Sequence, residues 1–221
     1  MNLQAVEAVY QAFQGNRPML PRFELWGLSE GERQMLMREP LHTLNAVVLN
    51  SYLSEPDGFQ DEHLLYFLPR MLELMSEGQL EEWRFWLMIE KVRPLLSPVQ
   101  AEALHGFLGA WWVSALGEAD HLWTLLDLLE HSQDQETWLR IWRKHPAPHA
   151  SLNLAQAIRW ELHLSRSPRF PVLDMWLRDP ATERQLEFAF FADPDALNAT
   201  ELSEALTLWR GHVLGLWGAE S

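Results

Sequence analysis

The segment Ser97–Leu116, SPVQAEALHGFLGAWWVSAL, decides the fold class. Ser97 precedes Pro98, and Gln100 follows three positions after the serine. A serine ahead of a first-turn proline, with glutamine at the third helical position, is a helix start: each side chain satisfies a free backbone N–H of the other. Beyond it Leu104, Phe107, Leu108, Trp111, Trp112 and Ala115 recur at helical spacing, one apolar face about three turns long. The opposite side carries Ala103, Gly106 and Ala110, small enough for a neighbouring helix to approach closely. A helix apolar or small on most sides is predicted to be central.

The same punctuation recurs on both sides. Leu64, Leu68, Met71, Leu72 and Met75 form one stripe, interrupted by Pro69, where a kink or break is expected. Gly78 is placed to stop that helix, and the next runs from about Gln79 to Val92 with Leu80, Trp83, Trp86 and Leu87. Ser29 with Glu32 reads as a capping box, and Pro40 as the first residue of a helix carrying Leu41, Leu44, Val47, Val48 and Leu49. Phe23, Leu25 and Trp26 lie in a breaker-rich loop and are expected to tuck against the core. Later, Leu122, Leu125, Leu126 and Leu129 share a face, Ser132 and Gln135 read as a box, and His145–His149 reads as a proline-bearing loop. Helices are expected from Ser151 to Ser165, over 180–192 behind Asp179–Pro180, and finally through Leu202, Leu206, Trp209, Val213 and Leu216. No segment alternates with period two. The prediction is an all-α protein, residues 1–221 forming one domain of about ten to twelve short helices, either an orthogonal bundle or a short α-solenoid of helix pairs.

The segment Tyr66–Leu74, YFLPRMLEL, and the tryptophan-ended Phe107–Trp112 resemble a family of uncharacterised bacterial all-helical proteins that share such a segment. The resemblance covers residues 50–115. It implies a bacterial source and carries no activity onto any residue.

Composition narrows the function classes. The 221 residues hold 12 tryptophans and no cysteine, so thiol catalysis, disulfides and cysteine-ligated metals are excluded. Lys+Arg 17 against Asp+Glu 31 gives −14, which argues against nucleic acid and anionic membrane as partners. The longest uncharged stretches, Pro40–Ser54 and Ala103–Gly117, have 15 residues each, short of the roughly 20 a spanning helix needs. With the first basic residue at Arg17 and no apolar h-region after it, a cytoplasmic location is expected.

No H-E-x-x-H, G-x-S-x-G, phosphate-binding loop or dinucleotide fingerprint occurs. Glu102–His105 is an E-x-x-H of the kind di-iron bundles use in pairs, but a second match, Glu39–His42, is split by Pro40. Neither a metal nor a cofactor is therefore expected, and no catalytic residue is assigned.

Charge is unevenly distributed. Residues 140–169 hold six cations and one acid, net +5, so −19 falls on the remainder. Arg140, Arg143 and Lys144, spaced i, i+3, i+4, share one side of a helix; Arg159 extends the basic region. Those arginines have two readings: ion pairs with acids on neighbouring helices, or a surface for an acidic partner. Most tryptophans fall on apolar stripes, but Trp123, Trp160 and Trp176 fall outside them. Trp123 and Trp160, with Arg140, Arg143, Lys144 and Arg159, are the candidate partner-binding residues, since aromatics beside cations are typical interface anchors. The resulting expectation is a non-enzymatic protein-binding module, in its specific form a bacterial immunity or adaptor protein. The alternatives are a hydrolase with dispersed catalytic residues and a structural subunit of a helical assembly, and a homo-oligomer is left open.

Overall fold

The computed structural model describes residues 3–15, 28–54, 61–164, 171–192 and 198–213. They form twelve α-helices and no strand among the described residues, as predicted. In order these are α1 (Leu3–Ala12), α2 (Glu30–Arg38), α3 (Ala46–Leu53), α4 (Asp61–Ser76), α5 (Glu82–Val92) and α6 (Pro98–Leu116). Then follow α7 (Leu122–Glu130), α8 (Gln135–Lys144), α9 (Pro148–Ile158), α10 (Pro171–Leu177), α11 (Pro180–Ala192) and α12 (Ala199–Val213). A π-helical turn, Arg159–Leu164, continues α9. The chain forms two compact units, Met1–Trp111 and Trp112–Ser221, and the division falls inside α6. The loop holding Phe23, Leu25 and Trp26 and the position Leu216 lie outside the described residues.

In the first unit α4 carries the core. Leu64, Phe67, Leu68, Met71 and Leu72 are fully buried, as are Leu49 and Tyr52 of α3, and the Tyr52 and Phe67 rings meet at 5.3 Å. The break expected at Pro69 does not occur: α4 runs continuously through it. The lost N–H bond is outweighed by an apolar stripe that is buried on both sides of the proline. Gly78, at φ 70°, ends the helix; its N–H donates to the Met75 carbonyl, and that of Gln79 to Leu74, the paired bonds of a Schellman cap. Tyr10 Oη donates to Glu73 Oε2 at 2.8 Å and Arg70 Nη1 to the same oxygen at 2.6 Å, which ties α1 to α4.

The Ser29–Glu32 box is formed as read. Pro40 does not open a helix: it stands in extended conformation ahead of a 3₁₀ turn, Leu41–Thr43, and α3 begins at Ala46. Asn45 is the reason, since its side chain accepts the Val48 N–H at 3.0 Å and so supplies the cap itself. In α5 the buried face is Phe85, Trp86, Met88, Ile89 and Val92, whereas Leu87 is 58% exposed, so the expected stripe is rotated. In α6 the Ser97–Gln100 box and the whole face from Leu104 to Ala115 are as predicted. Its small-residue side is not covered closely by any described residue: Gly106 has open space where a Cβ would stand, and α1 faces it across a groove of 610 Å³.

In the second unit α9 packs against α12, α11 and α7. Leu154, Ala155, Ala157 and Ile158 of α9 are fully buried, as are Leu125 and Leu126 of α7. Trp209 of α12 is buried too, and its Nε1 donates to the Leu177 carbonyl at 2.6 Å. The Ser132–Gln135 box is replaced by Asp134, whose carboxylate accepts the Thr137 N–H at 3.1 Å. The loop expected over His145–His149 ends early, because Pro148 takes the first position of α9 behind Ala147. Asp179 and Pro180 start α11 as read, Asp179 Oδ1 accepting the Ala181 N–H at 2.8 Å. The short α10 had no counterpart in the sequence reading.

Candidate functional site: a basic and aromatic cavity in the second unit

The site is built on the end of α8. Its sequence, Gln135–Lys144, buries Trp138, Leu139 and Trp142 and leaves Arg140 and Lys144 exposed, with Arg143 between. Trp142 is fixed from several sides. Its ring meets Trp112 at 5.6 Å and Trp176 at 5.4 Å between centroids, and its Nε1 donates to the Ala150 carbonyl at 2.8 Å. Trp176, which falls outside the apolar stripes in the sequence, is part of an aromatic chain with Trp142 and Trp112, with the Arg143 guanidinium 5.1 Å over its ring. Arg143 Nη1 donates to Asp179 Oδ2 at 2.9 Å. The backbone N–H of Ala181 and this guanidinium together hold the Asp179 carboxyl below the usual carboxylate range.

Arg143 and Lys144 form one wall of a cavity of 420 Å³. Pro148 and Ser151, in the first turns of α9, form the floor; Gln185, Phe188, Ala189 and Ala192 of α11 stand opposite, with Leu202 of α12. The α11 residues are spaced i, i+3, i+4, i+7 and so share one face. Among the described residues no acid lines the cavity. Three buried polar atoms of this lining have no hydrogen-bond partner among the described residues: Arg143 Nε and Nη2, and Gln185 Oε1. Phe188 is 79% exposed at the rim, and Phe191, one turn on, is 72% exposed.

His145 and Ser151 line the same cavity, which bears on the hydrolase alternative. The His145 Nδ1 accepts the Ala147 N–H at 3.3 Å. A triad histidine uses that nitrogen as a donor toward an acid, so His145 is turned the wrong way for the role. Burial lowers its pKa, opposed by a backbone hydrogen bond at Val113, so the ring is neutral near pH 7 and the cavity's charge comes from Arg143 and Lys144.

The other sequence candidates form a second cluster. Trp123 and Trp160 meet edge to face at 5.2 Å, and Trp123 is 52% exposed. Arg159 Nη1 lies 3.5 Å from Glu204 Oε2 on α12. The ion-pair reading holds for Arg143 and Arg159, which pair with neighbouring acids, whereas Arg140 and Lys144 are exposed with no ion pair among the described residues. Glu102 and His105 both stand exposed on α6. No group of three or more potential metal-ligating side chains occurs among the described residues.

Sequence reasoning missed Phe188 and Gln185. The signal was present in Phe188, Phe190 and Phe191: at 100° per residue Phe188 and Phe191 share one side and Phe190 stands nearly opposite Phe188, so one core cannot take all three. Among the described residues no helix is long and apolar enough to cross a membrane. Compared with protein-family models, curated proteins and solved structures, the chain matches none of them.

Proposed function

We propose that this chain is a non-enzymatic protein-binding module that works through the second unit. Its specific form is a bacterial adaptor or immunity protein that holds or blocks a partner. The observation that carries the reading is Phe188, exposed on the rim of a cavity whose facing wall is Lys144 and Arg143. A rigid aromatic beside a cation buries much area at low entropic cost and gives orientation by charge. The net charge of −14 keeps the rest of the surface soluble and repels acidic competitors, while the basic cavity steers an acidic segment to one place.

The test is co-purification from the source organism. A saturable complex of fixed stoichiometry is expected, and it should be lost in the double variant Lys144→Glu, Phe188→Ser while thermal stability is unchanged. A complex that survives both substitutions, or a protein that turns over a substrate and retains no partner, overturns the reading.

A further inference from the structure

We propose that the groove between α1 and α6 in the first unit receives a basic amphipathic helix from a partner protein. This contact is separate from the cavity of the second unit and goes beyond the reading above.

The groove is long and walled by small residues. Ala5, Ala8 and Ala12 of α1, spaced i, i+3, i+7, form one wall; Val99, Ala103, Gly106 and Ala110 of α6, spaced i, i+4, i+7, i+11, form the other. From Val99 to Ala110 it runs about 16 Å, or roughly three helical turns. Its surface is accessible: Ala8 and Gly106 are exposed, Val99 is 66% exposed, and a Cβ at Gly106 would meet nothing within 4 Å. Side chains this small let a second helix pack closely. Yet α1 is anchored elsewhere, through the buried Val9 and the Tyr10 bond to Glu73 of α4. The small faces of both helices are thus left without a packed neighbour among the described residues.

The walls select the form of the occupant. Over 103–110 the backbone groups of α6 are spent within the helix, and alanine, glycine and valine side chains carry no polar atom. An extended chain laid there would turn its own N–H and C=O groups onto apolar wall without partners, which is costly. A helix satisfies its backbone internally, and the small walls leave room for its large side chains at i, i+3, i+4 and i+7. The rims select its charge. Glu102 stands exposed on α6, one turn from Val99. On α1 Gln4 and Gln11 line the groove, and the exposed Glu7 lies on their side of the helix, where Gln11 Nε2 donates to Glu7 Oε1 at 3.2 Å. An acid therefore borders each wall. A helix with Lys or Arg on both flanks of its apolar face meets one on either side, and a chain of net charge −14 draws such a segment in.

Helical peptides of about 15 residues, with leucine anchors at i, i+3, i+4, i+7 and i+11 and flanks randomised among Lys, Glu and Gln, are displayed and selected against the intact protein. The enriched peptide is then measured by fluorescence anisotropy. Its flanks should be Lys-rich, and the isomer with those lysines changed to glutamate should bind at least about tenfold more weakly in low salt, the gap narrowing in high salt. Gly106→Trp fills the groove and should weaken the peptide at least about tenfold, with the melting temperature unchanged or raised because glycine is a poor helix former. Ala8→Leu, on the opposite wall, is the second variant and should weaken it as well. Glu102→Lys should weaken it by about fivefold. An isomer with a central proline, which cannot lie as one straight helix, should not bind. No enrichment, an enriched peptide that binds both groove variants as tightly as wild type, or a proline isomer that binds equally well each overturns the proposal. So does a lower melting temperature of both groove variants without peptide, which would show the groove already filled by this chain itself.

Discussion

Arg143 Nη1 donates to Asp179 Oδ2 at 2.9 Å, joining the last turn of α8 to the first turn of α11. The same carboxylate caps α11, and the same guanidinium covers Trp176. One ion pair therefore sets the spacing of the two walls between which the cavity opens. The basic face read as a single belt divides here: Arg140 and Lys144 are surface charges, and Arg143 is a strut.

That division has a stability signature. Arg140→Glu should leave unfolding by urea within about 0.5 kcal/mol of wild type, as for other surface changes. Arg143→Glu should cost about 1–2 kcal/mol, through the lost pair, the lost cation–π contact and a new repulsion with Asp179. Equal effects of the two reversals would show that the strut contributes nothing.

Asp179 also gives a pH signature. Its folded pKa is below its ordinary value, chiefly through the Ala181 N–H and then through Arg143. Between the folded and unfolded pKa the unfolded chain binds more protons, so this contribution is fully present above about pH 4 and is lost as pH falls through the folded pKa. With the side chain 42% exposed, it should amount to less than about 1 kcal/mol. Asp179→Asn keeps a capping side chain and removes the charge. The stability difference between wild type and variant should shrink below pH 4; a difference that stays constant from pH 7 to pH 3 would contradict the assignment.

Two tryptophans separate structural from contact roles. Leu177 ends α10, so its carbonyl has no partner within that helix and depends on the Trp209 Nε1–H. Trp209→Phe should cost about 1–3 kcal/mol in urea titration. Trp123→Phe, at a half-exposed ring that keeps an edge toward Trp160, should cost under about 0.5 kcal/mol. Similar losses in both would place Trp123 in the structure instead of on a contact surface.

Helices were legible where one strong local signal stood alone. Ser97–Gln100, Asp179–Pro180 and the α6 stripe formed as read, because caps and period act within a few residues. Reading failed where two local signals competed, as when Asn45 overrode Pro40 and Asp134 overrode Ser132. It also failed where the period itself changes. The π turn from Arg159 shifts the helical phase, which is why Trp160 looked isolated although it packs on Trp123. The cavity was half legible. Arg143 and Lys144 were found from charge, but Gln185 and Phe188 face them only through tertiary packing of α11, which local pattern does not contain.

The most direct test of the contact surface places a photo-crosslinking phenylalanine analogue at Phe188, Trp123 or Leu87, one position per variant, and irradiates cells of the source organism. Leu87 stands exposed on α5 in the first unit and serves as the contrast. The account predicts one adduct of defined mass that is strongest from position 188 and lost on adding Lys144→Glu. An adduct formed only from position 87, or one from position 188 that persists with Lys144→Glu, would contradict it.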